Sequence, residues 1–384
     1  MRVLGLMSGT SADGVDAVLV RFDGPPERPR WQLLGRASLH YPETLRHRLV
    51  AVGQGMALTA AELLDLGEAV TLVQAEAARR ADPQATAELV GCHGQTLWHR
   101  PPEKGRWGAS WQLLQAPLLA NLLGRPVVHD FRAADLALGG QGAPLVPPCD
   151  AALLGGTGGW RALLNLGGIA NLTLLPPGSG PDRRAPVQGW DCGPANTLLD
   201  LAVQQFSQGH LSFDADGAWA ARGEVQEAVL ARWLEEPYLR QPPPKSTGRE
   251  LFGRQDLRRR LADLASAAGH ADPDPADSLA TLTAFSAAAV AQDLERGPRP
   301  IELLVAGGGC RNATLLRELR RRCRGCCVRP LQELGIGDLE REALAFALLA
   351  WWHRRGHPGS MPSVTGARCA AVLGVCVHPP ATGR

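Results

Sequence analysis

Apolar and polar positions change places most sharply near the N-terminus. Val3-Leu4-Gly5-Leu6-Met7 reads as a buried strand, breaks at Ser8-Gly9-Thr10-Ser11-Ala12-Asp13-Gly14, and resumes as Val15-Asp16-Ala17-Val18-Leu19-Val20. The pattern predicts a hairpin with a polar, glycine-bearing tip. The design recurs where Arg161–Leu166 meets Gly167-Gly168 and continues as Ile169–Leu175. Gly9 and Gly167 lie 158 positions apart, about one domain length, which suggests an internal duplication. A third apolar run, Ile301–Ala306, ends in Gly307-Gly308-Gly309 and leads into a helix at Asn312. Between these segments the period changes. Thr59 and Glu62 form a capping-box pattern ahead of Leu63, Leu66, Val70 and Val73, and Gly124 stops a helix carrying Leu118, Leu119, Leu122 and Leu123. The strand Pro126–Phe131 follows, then the glycine-rich Gly139–Pro144. Strands alternating with helices predict an α/β architecture.

Glycine tips offer backbone N–H groups unscreened by side chains, and the first tip adds hydroxyls and a carboxylate, the groups that phosphates and their magnesium ion require. If the chain binds ATP, the candidate contacts are Gly9, Thr10, Ser11, Ala12, Asp13, Gly14, Val15 and Asp16 in the first tip. Asn165, Gly167 and Gly168 follow in the second, and Gly307, Gly308, Gly309 and Asn312 in the third. The same residue types also build ordinary turns, and the first segment alone does not separate the two readings. No dinucleotide fingerprint, Walker loop or protein-kinase signature is present, so an ATP site here would be made of hairpins.

The chain has 384 residues, 45% hydrophobic and 20% charged, with a formal net charge of +2, which suits two globular domains and gives no sign of a nucleic-acid partner. The arginines at 317, 320, 321, 322 and 324 read as a solvated helix face. Nine cysteines in a chain of this size are expected to be reduced, and Cys323-x-x-Cys326-Cys327 lacks the second ligand pair of a zinc site. With neither a secretory signal nor a long apolar run, the chain is expected to be cytoplasmic. Only two lysines occur among the 40 basic residues. One, Lys245, follows three prolines, and reads either as a substrate or phosphate contact or as a chance survivor in a surface loop.

Taken together, Gly5-Leu6-Met7-Ser8-Gly9-Thr10-Ser11-x-Asp13-Gly14-Val15-Asp16, Cys92-His93-Gly94-Gln95-Thr96, Asp130-Phe131-Arg132, Gly139-Gly140-Gln141-Gly142-Ala143-Pro144 and Asn165-Leu166-Gly167-Gly168-Ile169-Ala170-Asn171 resemble the anhydro-N-acetylmuramic acid kinase family. So do Asp191-x-Gly193-Pro194, Pro243-Pro244-Lys245-Ser246-Thr247-Gly248-Arg249-Glu250, Gly307-Gly308-Gly309-x-x-Asn312 and Glu342-Ala343-x-Ala345-Phe346-Ala347. The resemblance spans essentially the whole chain. It implies two actin-like, ribonuclease H-like domains, residues 1–132 with about 358–384 and residues 133–357, with an ATP cleft between them. It implies an enzyme that uses ATP and water to open 1,6-anhydro-N-acetylmuramic acid, giving N-acetylmuramic acid 6-phosphate and ADP in cell-wall recycling or amino-sugar catabolism. Two other readings stand beside it: another sugar kinase of this fold, and a nucleotide-gated binding protein. Ala12, Leu114 and Ala195 depart from the family's usual residues.

The reaction needs a base to take a proton from the attacking water. Asp191 matches the family's catalytic aspartate, although an aspartate there could merely cap the following helix. Arg132 would bind the sugar's lactyl carboxylate through a planar, bidentate contact, and Glu342 would touch the sugar. Asp13 would order magnesium, directly or through water. His93 admits a catalytic role or a structural hydrogen bond. The resemblance also suggests a homodimer.

Overall fold

A computed structural model describes residues 1–9, 11–243, 245–248, 250–337 and 340–380. The chain divides into two compact units, Met1–Gly155 with Leu339–Arg384, and Gly156–Asp338.

In the first unit the predicted hairpin forms from β1 (Arg2–Ser8) and β2 (Gly14–Asp23), and β3 (Arg30–His40) extends it as an antiparallel meander. β4 (Leu89–Arg100) runs parallel to β1 and carries β5 (Ala109–Leu113) as a hairpin partner. β6 (Val127–His129) lies parallel to β4, and the short strand Val375–Val377 closes that edge. Leu4 and Leu6 face a core shared with Leu66, Val70 and Ala78 of the Ala60–Ala81 helix, whose predicted capping box is present. Alternate residues of a strand face opposite ways. Gly5 and Gly91 therefore face the other side, where an added Cβ would strike the carbonyls of Ala343 and Phe346. The absence of side chains at these two positions seats the Glu340–Arg354 helix directly on the sheet.

That helix is buried from Ala343 to Trp352, and Phe346 packs against His93 and Phe131 with ring centroids 4.6 and 5.3 Å apart. Its close seat on β1 and β4 assigns it to the first unit. Residues 133–155 and 340–357, allotted by the sequence boundaries to the second domain, thus belong to the first.

The second unit repeats the plan. β7 (Arg161–Leu166), β8 (Ile169–Leu175) and β9 (Gln188–Pro194) form an antiparallel meander, and β10 (Glu302–Ala306) and β11 (Cys327–Pro330) continue it in parallel from β7. Meander first, parallel strands next to its first strand: both sheets follow one order, as a duplication requires. The Pro275–Leu294 helix, capped by Asp274, packs Ala287 and Val290 against Leu172 and Trp190 of the sheet. Leu282 and Phe285 meet the helical layer through Leu198, Leu230 and Leu261. The arginine-rich helix exposes Arg317, Arg320 and Arg321, and Arg321 and Arg322 pair with Glu227 and Glu318, so it is the solvated face expected. Among the described residues no disulfide joins the cysteines. Among the described residues no helix is long and apolar enough to cross a membrane.

Candidate active site

In the second unit, strand register assembles a polar row. Asn165 on β7 lies opposite Asn171 on β8, and a bulge after Ala170 puts Asn171 opposite Asp191 on β9. Cross-strand partners share a face, so the three side chains form one ledge. Asn171 Nδ2 donates to Asp191 Oδ1 at 3.0 Å. Ser246 Oγ and Thr247 N donate to Oδ2 at 2.9 and 3.0 Å. Three donors thus fix the carboxylate's direction, and Asp191 acts here as a displayed acceptor on a strand, not as a helix cap.

Lys245 fits neither of its sequence readings. It is 8% exposed, and its Nζ meets Asp293 Oδ1 at 2.9 Å in an ion pair with side chains 2% and 1% exposed. Burial raises the Asp293 pKa, with Lys245 and Arg296 opposing it. The lysine is an internal anchor.

The glycine turns meet beside the ledge. Gly307 has φ +85°, and a Cβ there would strike Asn165 Oδ1 and the Leu166 carbonyl, so glycine is required for the third turn to lie against the second. The Gly167 and Gly168 carbonyls accept from Asn196 N and Thr197 N, tying the second tip to the start of the Asn196–Phe206 helix. Asn312 caps its own helix by accepting from Leu315 N at 2.9 Å. A cavity of about 530 Å³ opens beside these turns, lined by Gly167, Gly168, Gly308, Asn196, Thr197, Asp200, Gln204 and Arg254. A neighbouring cavity of about 440 Å³ shares Asn196, Asp200, Gln204 and Gly308 with it and reaches Asn312. Volumes of this order accept small-molecule ligands. Gly309 is buried within the turn.

In the first unit, Gly9, Ser11 and Asp13 lie in the turn between β1 and β2, while Thr10 lies outside the described residues. Ser8 Oγ shares its one proton between Gly14 O and Gln95 Oε1, at 2.8 and 2.5 Å, and Gln95 Nε2 donates to Gly9 O at 3.0 Å, bracing the tip from β4. Ala12 and Val15 are each 1% exposed and point into the core, so only their backbones remain for a ligand. Asp13 is exposed and pairs with Arg46 at 2.8 Å. Among the described residues no group of three or more His, Cys, Asp or Glu could hold a metal ion. A lone exposed carboxylate suits magnesium that arrives on nucleotide phosphates, which keeps most of its waters, and not a resident protein cage.

Arg132 follows β6 and is half-buried. Its Nε and Nη2 face His93 Nε2 at 3.2 and 2.9 Å, and Nη1 donates to Gly142 O at 2.7 Å. A guanidinium only donates, so His93 Nε2 must be the acceptor. Its Nδ1 then carries the proton, donated to Gly94 O at 2.9 Å. Burial, with the arginine's charge beside it, pushes the His93 pKa down to about 3. His93 is a neutral support for Arg132, the structural alternative among its two readings. Glu342 is an exposed residue, yet the protein packed around its carboxyl raises its pKa by desolvation. Arg341 and Arg132 oppose that rise and Asp16 adds to it, so Asp16, Arg132 and Glu342 share one electrostatic neighbourhood. Burial likewise raises Asp16, against a hydrogen bond from Ser38.

Asn171, Ser246, Thr247, Asn196, Thr197, Asp200, Gln204 and Arg254 were not singled out from sequence. Asn196, Asp200 and Gln204 stand four residues apart, a polar stripe on one helical face that the pattern does contain.

Two sheets of one repeated topology, each carrying a glycine-bearing hairpin, make the chain a two-unit α/β protein. The family model described as anhydro-N-acetylmuramic acid kinase matches residues 1–379. Two curated relatives carry that same name. One from Synechococcus sp. (strain CC9902) is 65% identical over 384 residues, and one from Synechococcus sp. (strain WH7803) is 62% identical over 392, each covering 99% of this chain and 100% of the relative. The chain belongs to the anhydro-N-acetylmuramic acid kinase family. Among solved structures, the activator of the 2-hydroxyisocaproyl-CoA dehydratase from Clostridium difficile with bound ADPNP aligns with 92% of this chain and 96% of its own. Its TM-score is 0.42 at 12% identity, a likeness from which nothing further is drawn.

Proposed function

We propose that the chain uses ATP and water to convert 1,6-anhydro-N-acetylmuramic acid into N-acetylmuramic acid 6-phosphate and ADP. Asp191 is the base. It takes a proton from water as the water oxygen bonds to the anomeric carbon. The bond from that carbon to the bridging oxygen breaks, and the bridging oxygen, now at position 6, takes the γ-phosphoryl group as ADP leaves. The observation that carries this reading is the Asp191 carboxylate on its polar row, aimed by Asn171, Ser246 and Thr247.

The nucleotide is assigned to the cavity beside Gly167, Gly168 and Gly308, with Gly307 set against Asn165, Gly309 buried within the turn, and Asn312 capping the helix that follows. The tip Gly9–Asp16 holds phosphate through its backbone. Magnesium, carried on the phosphates, would spread their negative charge, and Asp13 would meet it after parting from Arg46. Arg132 receives the lactyl carboxylate on donors that His93 and Gly142 leave free, and Glu342 accepts from a sugar hydroxyl. The protein is placed in the cytoplasm as a homodimer, in cell-wall recycling or amino-sugar catabolism. Asp191→Asn tests the assignment: turnover should be lost while ADP affinity stays within about threefold, and substantial retained turnover would remove Asp191 from the role.

A further inference from the structure

Asp293, on the last turn of the Pro275–Leu294 helix, has a side chain 1% exposed, and three donors converge on it. Trp190 Nε1 donates to Oδ2 at 3.1 Å, while Lys245 Nζ and Arg296 Nη1 reach Oδ1 at 2.9 and 3.1 Å. Two of these donors flank the proposed base. Trp190 precedes Asp191 on β9, and Lys245 precedes Ser246 and Thr247, which donate to the Asp191 carboxylate. The circuit closes through backbone and ring. Asp191 N donates to Lys245 O at 2.9 Å, the Tyr238 hydroxyl donates to the Asp191 carbonyl at 2.7 Å, and Lys245 Nζ lies 5.0 Å from the Tyr238 ring centroid.

We infer that the buried Lys245–Asp293 pair is a positioning device, which ties the strand carrying Asp191 and the loop capping it to a single carboxylate and so fixes where the base points. The inference rests on Asp191 being the base. Stability is a poor explanation for the pair, because desolvation of two buried charges offsets most of their attraction and apolar replacements of like volume often hold a core as well. Direction is what the charges add. Oδ1 and Oδ2 accept from fixed donors on two segments, so neither segment can slide without breaking a bond. Displacement of a catalytic group by about 1 Å lowers rates on the order of a hundredfold.

The double variant Lys245→Met with Asp293→Asn removes the two buried charges together and leaves Arg296, 26% exposed, on the Leu239 and Gln241 carbonyls. Thermal unfolding and ADP binding establish that it is folded. The expected result is a kcat lower by roughly a hundredfold with KM for sugar and ATP within about threefold. A folded double variant with kcat within about twofold of the wild type overturns the inference, as does one whose loss lies in KM and not in kcat. If the double variant does not fold, Trp190→Phe decides by the same readouts, with a kcat about tenfold lower expected. An active Asp191→Asn enzyme would overturn the base assignment instead, whereas an inactive one beside an unimpaired Lys245 variant overturns the positioning role alone.

Discussion

Replacing Arg132 by lysine keeps the positive charge and removes the planar fork, and the size of the effect follows from how the guanidinium is bound. Three of its five N–H donors are engaged, Nε and one on Nη2 by His93 Nε2 and one on Nη1 by Gly142 O, which leaves one on each terminal nitrogen. Those two can meet both oxygens of a carboxylate. An ammonium can keep the Coulombic attraction, but it cannot hold both oxygens and the His93 and Gly142 acceptors together. Hydrogen bonds to charged groups contribute about 1.5–3 kcal/mol each. Losing one of the pair should therefore lower kcat/KM for the anhydro sugar by about 10- to 100-fold. Steady-state kinetics on 1,6-anhydro-N-acetylmuramic acid and on the corresponding sugar without the lactyl group separates recognition from damage. Arg132→Lys should lose specificity only toward the sugar that has the carboxylate. Equal losses on both sugars would refute the assignment.

Protonating His93 breaks its bond with Arg132, so its depressed pKa ties stability to pH. The folded state binds fewer protons than the unfolded state between about 3 and the ordinary histidine value of 6.5. Stability is therefore fully present above 6.5 and is lost as pH falls toward 3, with a slope from this group of about 1.4 kcal/mol per pH unit. His93→Gln should flatten the decline in melting temperature between about pH 6 and 4; an unchanged slope would count against it. Thr197 Oγ1 is buried, lines the larger cavity and has no hydrogen-bond partner among the described residues. Thr197→Val should leave the melting temperature unchanged and raise the KM for ATP about three- to tenfold, and an unaltered KM would exclude a nucleotide contact. Chelating magnesium should stop turnover, and Asp13→Asn should raise the magnesium concentration needed for half-maximal rate. The same magnesium dependence in both enzymes would release Asp13 from that role.

The hairpins were legible because their signals are local. Apolar runs around Gly9 and Gly167, the Thr59 and Glu62 box, and Gly124, which ends its helix at φ +62°, each announce an element within a few residues. Asp191 and Arg132 could be proposed from sequence as single residues, but the contacts around them could not. Asp191 owes its alignment with Asn171 to a bulge, and Ser246 reaches it from 55 positions away. Lys245 shows the limit most clearly. Three prolines and two hydroxyls around it look like an exposed loop, and only Asp293, 48 positions on, explains its burial. The domain boundary was misplaced for a related reason. Apolarity all round Ala343–Trp352 reveals a buried helix without naming its seat, which depends on Gly5 and Gly91, far away in the chain.

Whether water attack and phosphoryl transfer belong to one turnover is measured directly by mass spectrometry of the product formed from 1,6-anhydro-N-acetylmuramic acid, ATP and magnesium in oxygen-18 water. A 6-phosphorylated sugar carrying one heavy oxygen, located at the anomeric carbon, is the expected result, with none formed by Asp191→Asn. Heavy oxygen in the phosphate, or ADP released while the anhydro bridge stays intact, would contradict the mechanism.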